Sequence, residues 1–153
     1  MRPATAADVD ELVRLRAVMM AALGEPSSGP WMAESAAFLR AALADGTAAA
    51  RVVDDPSAPE RLVACGVGVV MRRLPGPNTL DGRVGHVASM VTEAGWRGRG
   101  LATAIVVGLI DWYRAIGVRR VYLHASEEGE AIYRGLGFRE GAHPELVLDL
   151  PPR

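Results

Sequence analysis

The sequence contains no lysine and no glutamine. All 17 of its basic residues are arginine, and Asn78 is its single asparagine. Such usage fits the codon bias of a GC-rich genome, as does the abundant alanine, and it leaves the terminal α-amino group as the only primary amine on the chain. Cysteine is nearly absent too. Cys65 alone cannot form an intramolecular disulfide, and inside the apolar run RLVACGVGVV it reads as a small buried thiol rather than a reactive one. A reducing, cytoplasmic setting is the expectation that follows.

Charge of one sign is missing as well, with 17 basic against 18 acidic residues and a formal net charge of −1. Interspersed signs give no broad basic field, which argues against nucleic acid and anionic lipid as partners; Arg72-Arg73 and Arg119-Arg120 read as solvated strand or loop ends. Long apolar runs are lacking: the longest stretch without a formal charge, Gly100 to Ile110, falls far short of the roughly 18–20 residues of a membrane span. The first 25 residues carry Asp8, Asp10, Glu11, Arg14 and Arg16, which is unlike a signal peptide. What remains is 153 residues, half of them hydrophobic, enough for one domain (residues 1–153) that buries roughly 70% of its unfolded surface without a staple.

Thr5 followed by Asp8 resembles a capping box, and Val9, Leu12, Val13, Leu15, Met19 and Leu23 recur at helical spacing, so a helix is expected over about 6–23. Gly24, Pro26, Gly29 and Pro30 break it, and a second helix is expected over about 31–44. Strands are expected at 48–53, 62–71 and 84–92, the first two separated by DDPSAPE and the last two by LPGPNTLDG. Leu101, Ile105, Leu109, Trp112 and Ile116 then mark a helix stopped by Gly117. A strand at 121–125, a short helix at 128–136 and a last strand at 146–150 complete the pattern. The fold class expected is a mixed α/β single domain, antiparallel in its first half and parallel in its second.

The segment most informative about chemistry is VTEAGWRGRGLA, residues 91–102, a strand that passes through a Gly-rich turn directly into a helix. The first turn of a helix leaves N–H groups unpaired at the positive end of the dipole, and glycines let an anion approach them, so phosphate or pyrophosphate is the natural ligand. The turn is not a P-loop, because no Lys-Ser or Lys-Thr follows, and it lacks the full spacing of a dinucleotide fingerprint. Read alone, it is weak evidence, and an ordinary tight turn is the preferred reading.

Arg97-x-x-Gly100-x-Ala102 on this turn, followed by a strand and then by Tyr133-x-x-Leu136-Gly137-Phe138, resembles the GNAT superfamily of N-acetyltransferases from about Val84 to Phe138. More loosely, the opening RPATAADVDELVRLR is similar to the family's first strand and helix. The resemblance implies a mostly antiparallel central sheet flanked by helices, with a splayed parallel strand pair holding acetyl-CoA. Arg97, Gly98, Arg99, Gly100, Leu101, Ala102 and Thr103 would hold its pyrophosphate mostly through main-chain N–H groups, while Met90, Val91 and Thr92 would pair with pantetheine like an added strand. Ser126 stands where the family often has Asn, a departure read as variation. Tyr133 corresponds to the tyrosine near the thioester sulfur, a general acid for the departing thiolate, and the Val91 N–H to the oxyanion donor.

For the general base the resemblance leads to His86, on the strand where some family members place a glutamate; Glu93 and Glu34 are weaker alternatives. Strand alternation groups His86 with Ala88 and Met90, apart from Val87 and Val91, unless a bulge changes the parity. His86, His124 and His143 lack metal-ligand spacing, and no metal is expected. The acceptor site is expected between Gly24 and Trp31 and in the loop Leu74 to Arg83, with Glu25, Ser27, Ser28, Trp31 and Glu34 facing a small-molecule amine, a polyamine or a peptide N-terminus. A homodimer fits the same reading. A non-catalytic acyl-CoA-binding regulatory module is the rival, and transfer of a longer acyl chain or to an oxygen acceptor is a third.

Overall fold

The computed structural model describes residues 1–142 and 145–150. Thr5 and Asp8 form the expected capping box: the Thr5 N–H and hydroxyl both donate to Asp8 Oδ2, at 2.7 and 3.1 Å. The first turn behind it, Ala6–Asp8, is 3-10 rather than α, and α1 follows at Val9–Ala22. α2 spans Trp31–Asp45 and ends on Gly46, whose φ of 77° is the left-handed cap that glycine adopts without strain.

Five strands follow the order β1-β2-β3-β4-β5: Arg2–Pro3, Ala48–Asp55, Ala58–Arg72, Arg83–Thr92 and Val121–Leu123. The first three pairs are antiparallel and β4 pairs with β5 in parallel, as the alternation of strands and helices in the second half predicts. α3, Leu101–Ala115, is the crossover between those two strands, and α4 is Glu130–Gly135.

The sheet is covered on both faces. α1 and α2 bury Val9, Leu12, Leu15 and Leu39 against Val52, Cys65, Val67 and Val91, while α3 buries Ile105, Leu109 and Tyr113 against Ala64 and Val87. Glycines allow α3 its close approach. A Cβ on Gly68 or Gly85 would run into the Tyr113 ring, and the Tyr113 hydroxyl donates across that contact to the carbonyls of Val69 (3.2 Å) and His86 (2.8 Å). Cys65 is fully buried, and burial pushes its thiol up to about 12, which makes it the inert packing residue expected.

Four features differ from the sequence reading. DDPSAPE is not a loop: β2 and β3 run into it, with register shifts beside Asp54, and Asp55 Oδ1 accepts from the Ser57 N–H and hydroxyl to tighten the turn. β5 and α4 are shorter than expected, because Ser126 begins a turn between them. The strand expected at 146–150 is not formed. Residues 145–150 lie in neither helix nor strand, and Leu146, Val147, Leu148 and Leu150 are 79–90% exposed. An alternating pattern gives a strand a face to bury, but a strand also needs a neighbour's N–H and C=O groups, and none among the described residues pairs with this segment. His143 lies outside the described residues.

Candidate active site

β4 carries the site through a bulge. Val67 pairs with Ala88 and Cys65 with Val91, so Ser89 and Met90 together oppose the single residue Gly66. Ser89 has φ 50°, the one non-glycine residue with positive φ among those described. The extra residue switches the side-chain parity of the strand. Val87 and Met90 both face α3, whereas Val91 joins the α1 face, the side to which alternation also turns His86. Two groups fix the bulge from the α1 side: Arg16 donates to Ser89 Oγ, and the Cys65 thiol lies 3.7 Å from the Ser89 carbonyl. Neither Arg16 nor Ser89 was marked by the sequence, since serine has no signature for positive φ and Arg16 is 73 residues away.

Beyond the bulge the sheet opens. β4 and β5 pair only from Gly85/Val121 to Val87/Leu123, and β4 then runs on to Thr92 with no partner on that edge among the described residues. Backbone polarity follows from the ladder. The Glu93 N–H donates to the Val63 carbonyl, so alternation turns the Val91 N–H toward β3 as well and leaves the Thr92 N–H, with that of the bulged Met90, to face the gap.

The gap leads to the Gly-rich turn. Ala94–Trp96 forms a single 3-10 turn; Gly98 and Gly100 then take φ of 74° and 73°, and Gly100 is the residue from which α3 starts. No side chain caps α3, and nothing lies within 4 Å of where a Cβ would stand on Gly95, Gly98 or Gly100. The turn therefore presents bare N–H groups to open space at the positive end of a 15-residue helix. Two guanidiniums flank it. Arg97 donates to the Thr92 carbonyl at 3.3 Å, and Arg99 donates to the Gly95 carbonyl while stacking on Trp96 at 4.6 Å. Arg97, Gly98, Arg99 and Gly100 are exposed.

Tyr133 lies on α4 with its ring edge-on to Phe138 at 5.9 Å. It is 9% exposed, and burial pushes its phenol above the ordinary range, so it carries its proton at neutral pH. Ser126 Oγ accepts from the Gly129 N–H at 3.2 Å, which ties it to the start of α4 and leaves its own hydrogen free to donate.

His86 is half-buried opposite Tyr122, within the paired part of β4 and β5, four residues and about 10–13 Å of strand before Met90. Its ring is 5.6 Å from that of His124. Burial first, then His124 and Arg73, lower its pKa, while Glu145 opposes them. Glu93 is committed elsewhere: Arg14 at 2.7 Å and Arg61 at 3.2 Å both hold Oε1. Glu34 is exposed on the first turn of α2, and the 24–30 segment is exposed throughout. Among the described residues no three His, Cys, Asp or Glu groups stand close enough to hold a metal ion, and no helix is long and apolar enough to cross a membrane.

Comparison with known proteins agrees with this geometry. The model of the acetyltransferase (GNAT) family matches residues 15–138. A probable glucosamine 6-phosphate N-acetyltransferase of Oryza sativa subsp. japonica is 40% identical over 91 residues, 58% of this chain and 52% of that protein. A glucosamine 6-phosphate N-acetyltransferase of Trypanosoma brucei brucei is 39% identical over 74 residues, 47% of this chain and 49% of that one. The chain thus spans about half the length of the curated relatives it matches. In fold, it superposes on the crystal structure, with acetyl-CoA, of a predicted acetyltransferase from Clostridium acetobutylicum with a TM-score of 0.87 at 22% identity, covering 97% of this chain and 94% of that one.

Proposed function

Because this chain belongs to the GNAT family of acetyltransferases, we propose that it is an acetyl-CoA-dependent N-acetyltransferase that passes the acetyl group directly to a primary amine with both substrates bound. The observation that carries the proposal is the continuous unit of bulge, open β4 edge and uncapped α3 N-terminus. Its open end, bare N–H groups and two guanidiniums fit a pyrophosphate, and its unpaired strand edge fits the amide-bearing arm of pantetheine.

Bound acetyl-CoA supplies a thioester whose carbonyl gains negative charge as an amine attacks and whose sulfur leaves as a thiolate. Arg97 to Thr103 hold the pyrophosphate end, Ser126 donates to the pantetheine arm, and β4 faces the gap with the main chain of Met90 and Thr92, whereas Val91 turns its main chain to β3. The ladder polarity that turns the Val91 N–H toward β3 assigns the oxyanion to the gap-facing Met90 N–H, with Thr92 bonding the pantetheine arm. Tyr133 donates its proton to the departing sulfur. His86 is set too far back for direct contact and takes the amine proton through water. Its lowered pKa keeps the imidazole neutral, and so able to accept a proton, at neutral pH.

The relatives' names put an amino sugar phosphate first among acceptors. Arg16 at the bulge supports that choice, since it sets a guanidinium beside the gap where an anionic group on the acceptor could be held. The test pairs calorimetric titration with acetyl-CoA and a CoA-release assay over glucosamine 6-phosphate, simple amines and a peptide N-terminus. Binding with amine-dependent CoA release is expected. Absence of binding overturns the proposal, and binding without release from any acceptor makes the chain an acyl-CoA-binding module instead.

A further inference from the structure

β3 leaves its regular ladder near Leu62. The register with β2 shifts beside Asp54, the partner of Leu62, and both backbone groups of Leu62 turn to α1 instead. Its N–H donates to Glu11 Oε2 at 2.9 Å, and its C=O accepts from Arg14 Nη2 at 2.7 Å. Arg14 also donates to both oxygens of Glu11, at 2.7 and 2.9 Å, so a carboxylate and a guanidinium one turn apart on α1 take the place of a strand partner.

The remaining nitrogen of the same guanidinium reaches the donor site. Arg14 Nη1 donates to Glu93 Oε1 at 2.7 Å. Glu93 is the residue at which the open β4 edge becomes the Gly-rich turn: its N–H ends the ladder on the Val63 carbonyl at 2.9 Å, and its C=O accepts from the Trp96 N–H at 2.8 Å to begin the turn. Arg14 therefore binds α1, β3 and this junction at once, and its planar fork fixes directions that a point charge leaves free. The Arg14 and Glu93 side chains are 30% and 21% exposed, so solvent screens the pair less than a fully exposed one. Arg61 meets the same Glu93 oxygen at 3.2 Å but belongs to β3, so the link from the junction to α1 is Arg14.

We propose that Arg14 is a positioning residue for the acyl-CoA donor, which sets the distance and angle between the pantetheine-binding edge of β4 and the pyrophosphate-binding turn. The inference rests on the donor site proposed above. It acts through Glu93, where those two parts of the site meet. A ligand that engages both parts gains from their fixed spacing as a linked pair of ligands does, and that gain is lost when the spacing wavers. A ligand that engages one part alone has no such gain to lose.

The test compares a ligand for both parts with a ligand for each. In calorimetric titration Arg14→Met should weaken acetyl-CoA about tenfold, while the Ki of ADP, which fits the turn alone, and kcat/KM with acetyl-pantetheine, which fits the edge alone, should stay within about a factor of two. Glu93→Ala leaves the contacts of α1 with Leu62 in place and should give the same pattern. The double variant should bind acetyl-CoA no more weakly than either single one, since both changes remove one tether. An unchanged acetyl-CoA affinity in either variant overturns the proposal. So do parallel losses for all three ligands, which would make Arg14 a residue of fold stability, and additive losses in the double variant. A wild type that binds no acetyl-CoA instead removes the donor site itself, and this proposal with it.

Discussion

Tyr133 and His86 are the two side chains whose chemistry can be separated by kinetics. Tyr133→Phe removes one hydroxyl from a ring that is otherwise held by packing against Phe138, so the fold and acetyl-CoA affinity should stay within a factor of two while kcat falls by about 100-fold, the usual worth of a positioned acid. An unchanged kcat in that variant removes Tyr133 as the acid. For His86 the sign is set by its lowered pKa. A neutral imidazole is needed to take a proton, so in the wild type the acid limb of kcat/KM should lie below the ordinary histidine range, near 6.5. His86→Ala should abolish that limb and slow the reaction about tenfold or more, and a superimposable pH profile would remove His86 from the reaction. The sequence pointed to Tyr133 through the motif around it and to His86 only through the resemblance of its strand, and both roles are proposals. Which way β4 turns its side chains was not readable, because the parity is set by a bulge at a serine, and only the tertiary contacts of Arg16 and Cys65 show why a serine accepts φ 50°. Glu93 was equally unreadable as an ion-pair partner, since Arg14 and Arg61 reach it from other elements.

At the scale of elements, the Gly-rich turn can be tested apart from the gap. Gly100 takes φ 73° at the start of α3 with open space above it, so a Cβ there clashes with nothing but forces a left-handed residue, a cost of about 1–2 kcal/mol. Gly100→Ala should distort the first turn and raise the KM for acetyl-CoA about tenfold. With acetyl-pantetheine, which lacks the pyrophosphate, the same variant and the wild type should be indistinguishable. An equal loss with both donors would place the effect in the fold and not in pyrophosphate binding. The helices and strands bounding this turn were legible because each carries its own period, 3.6 in α3 and 2 in β4. The element that failed, the strand at 146–150, has the period and lacks the neighbour, and a neighbour is information that periodicity does not hold.

For the whole molecule, the first edge of the sheet is anchored to the start of α1 and to β2 by charge. β1 has only two residues, one of them proline, so its ladder is minimal. Arg2 compensates by binding Asp8 at the start of α1 and Asp54 on β2, both at 2.7 Å. Arg2 first holds the Asp8 carboxyl down at about 2, against burial, the next largest effect, and the Thr5 N–H and hydroxyl assist Arg2. A carboxylate whose folded pKa is depressed contributes stability that is complete above its unfolded value, near 4, and is lost as the pH falls through its folded value. Arg2 is 38% exposed, so solvent screening trims the contribution to about 1–2 kcal/mol. Asp8→Asn should therefore lower the free energy of urea unfolding by that amount at pH 7, and the difference from wild type should close between pH 4 and pH 2. A gap that stays constant with pH would mean that Asp8 acts through its neutral hydrogen bonds, and that the ion pair with Arg2 adds nothing to the anchoring of β1.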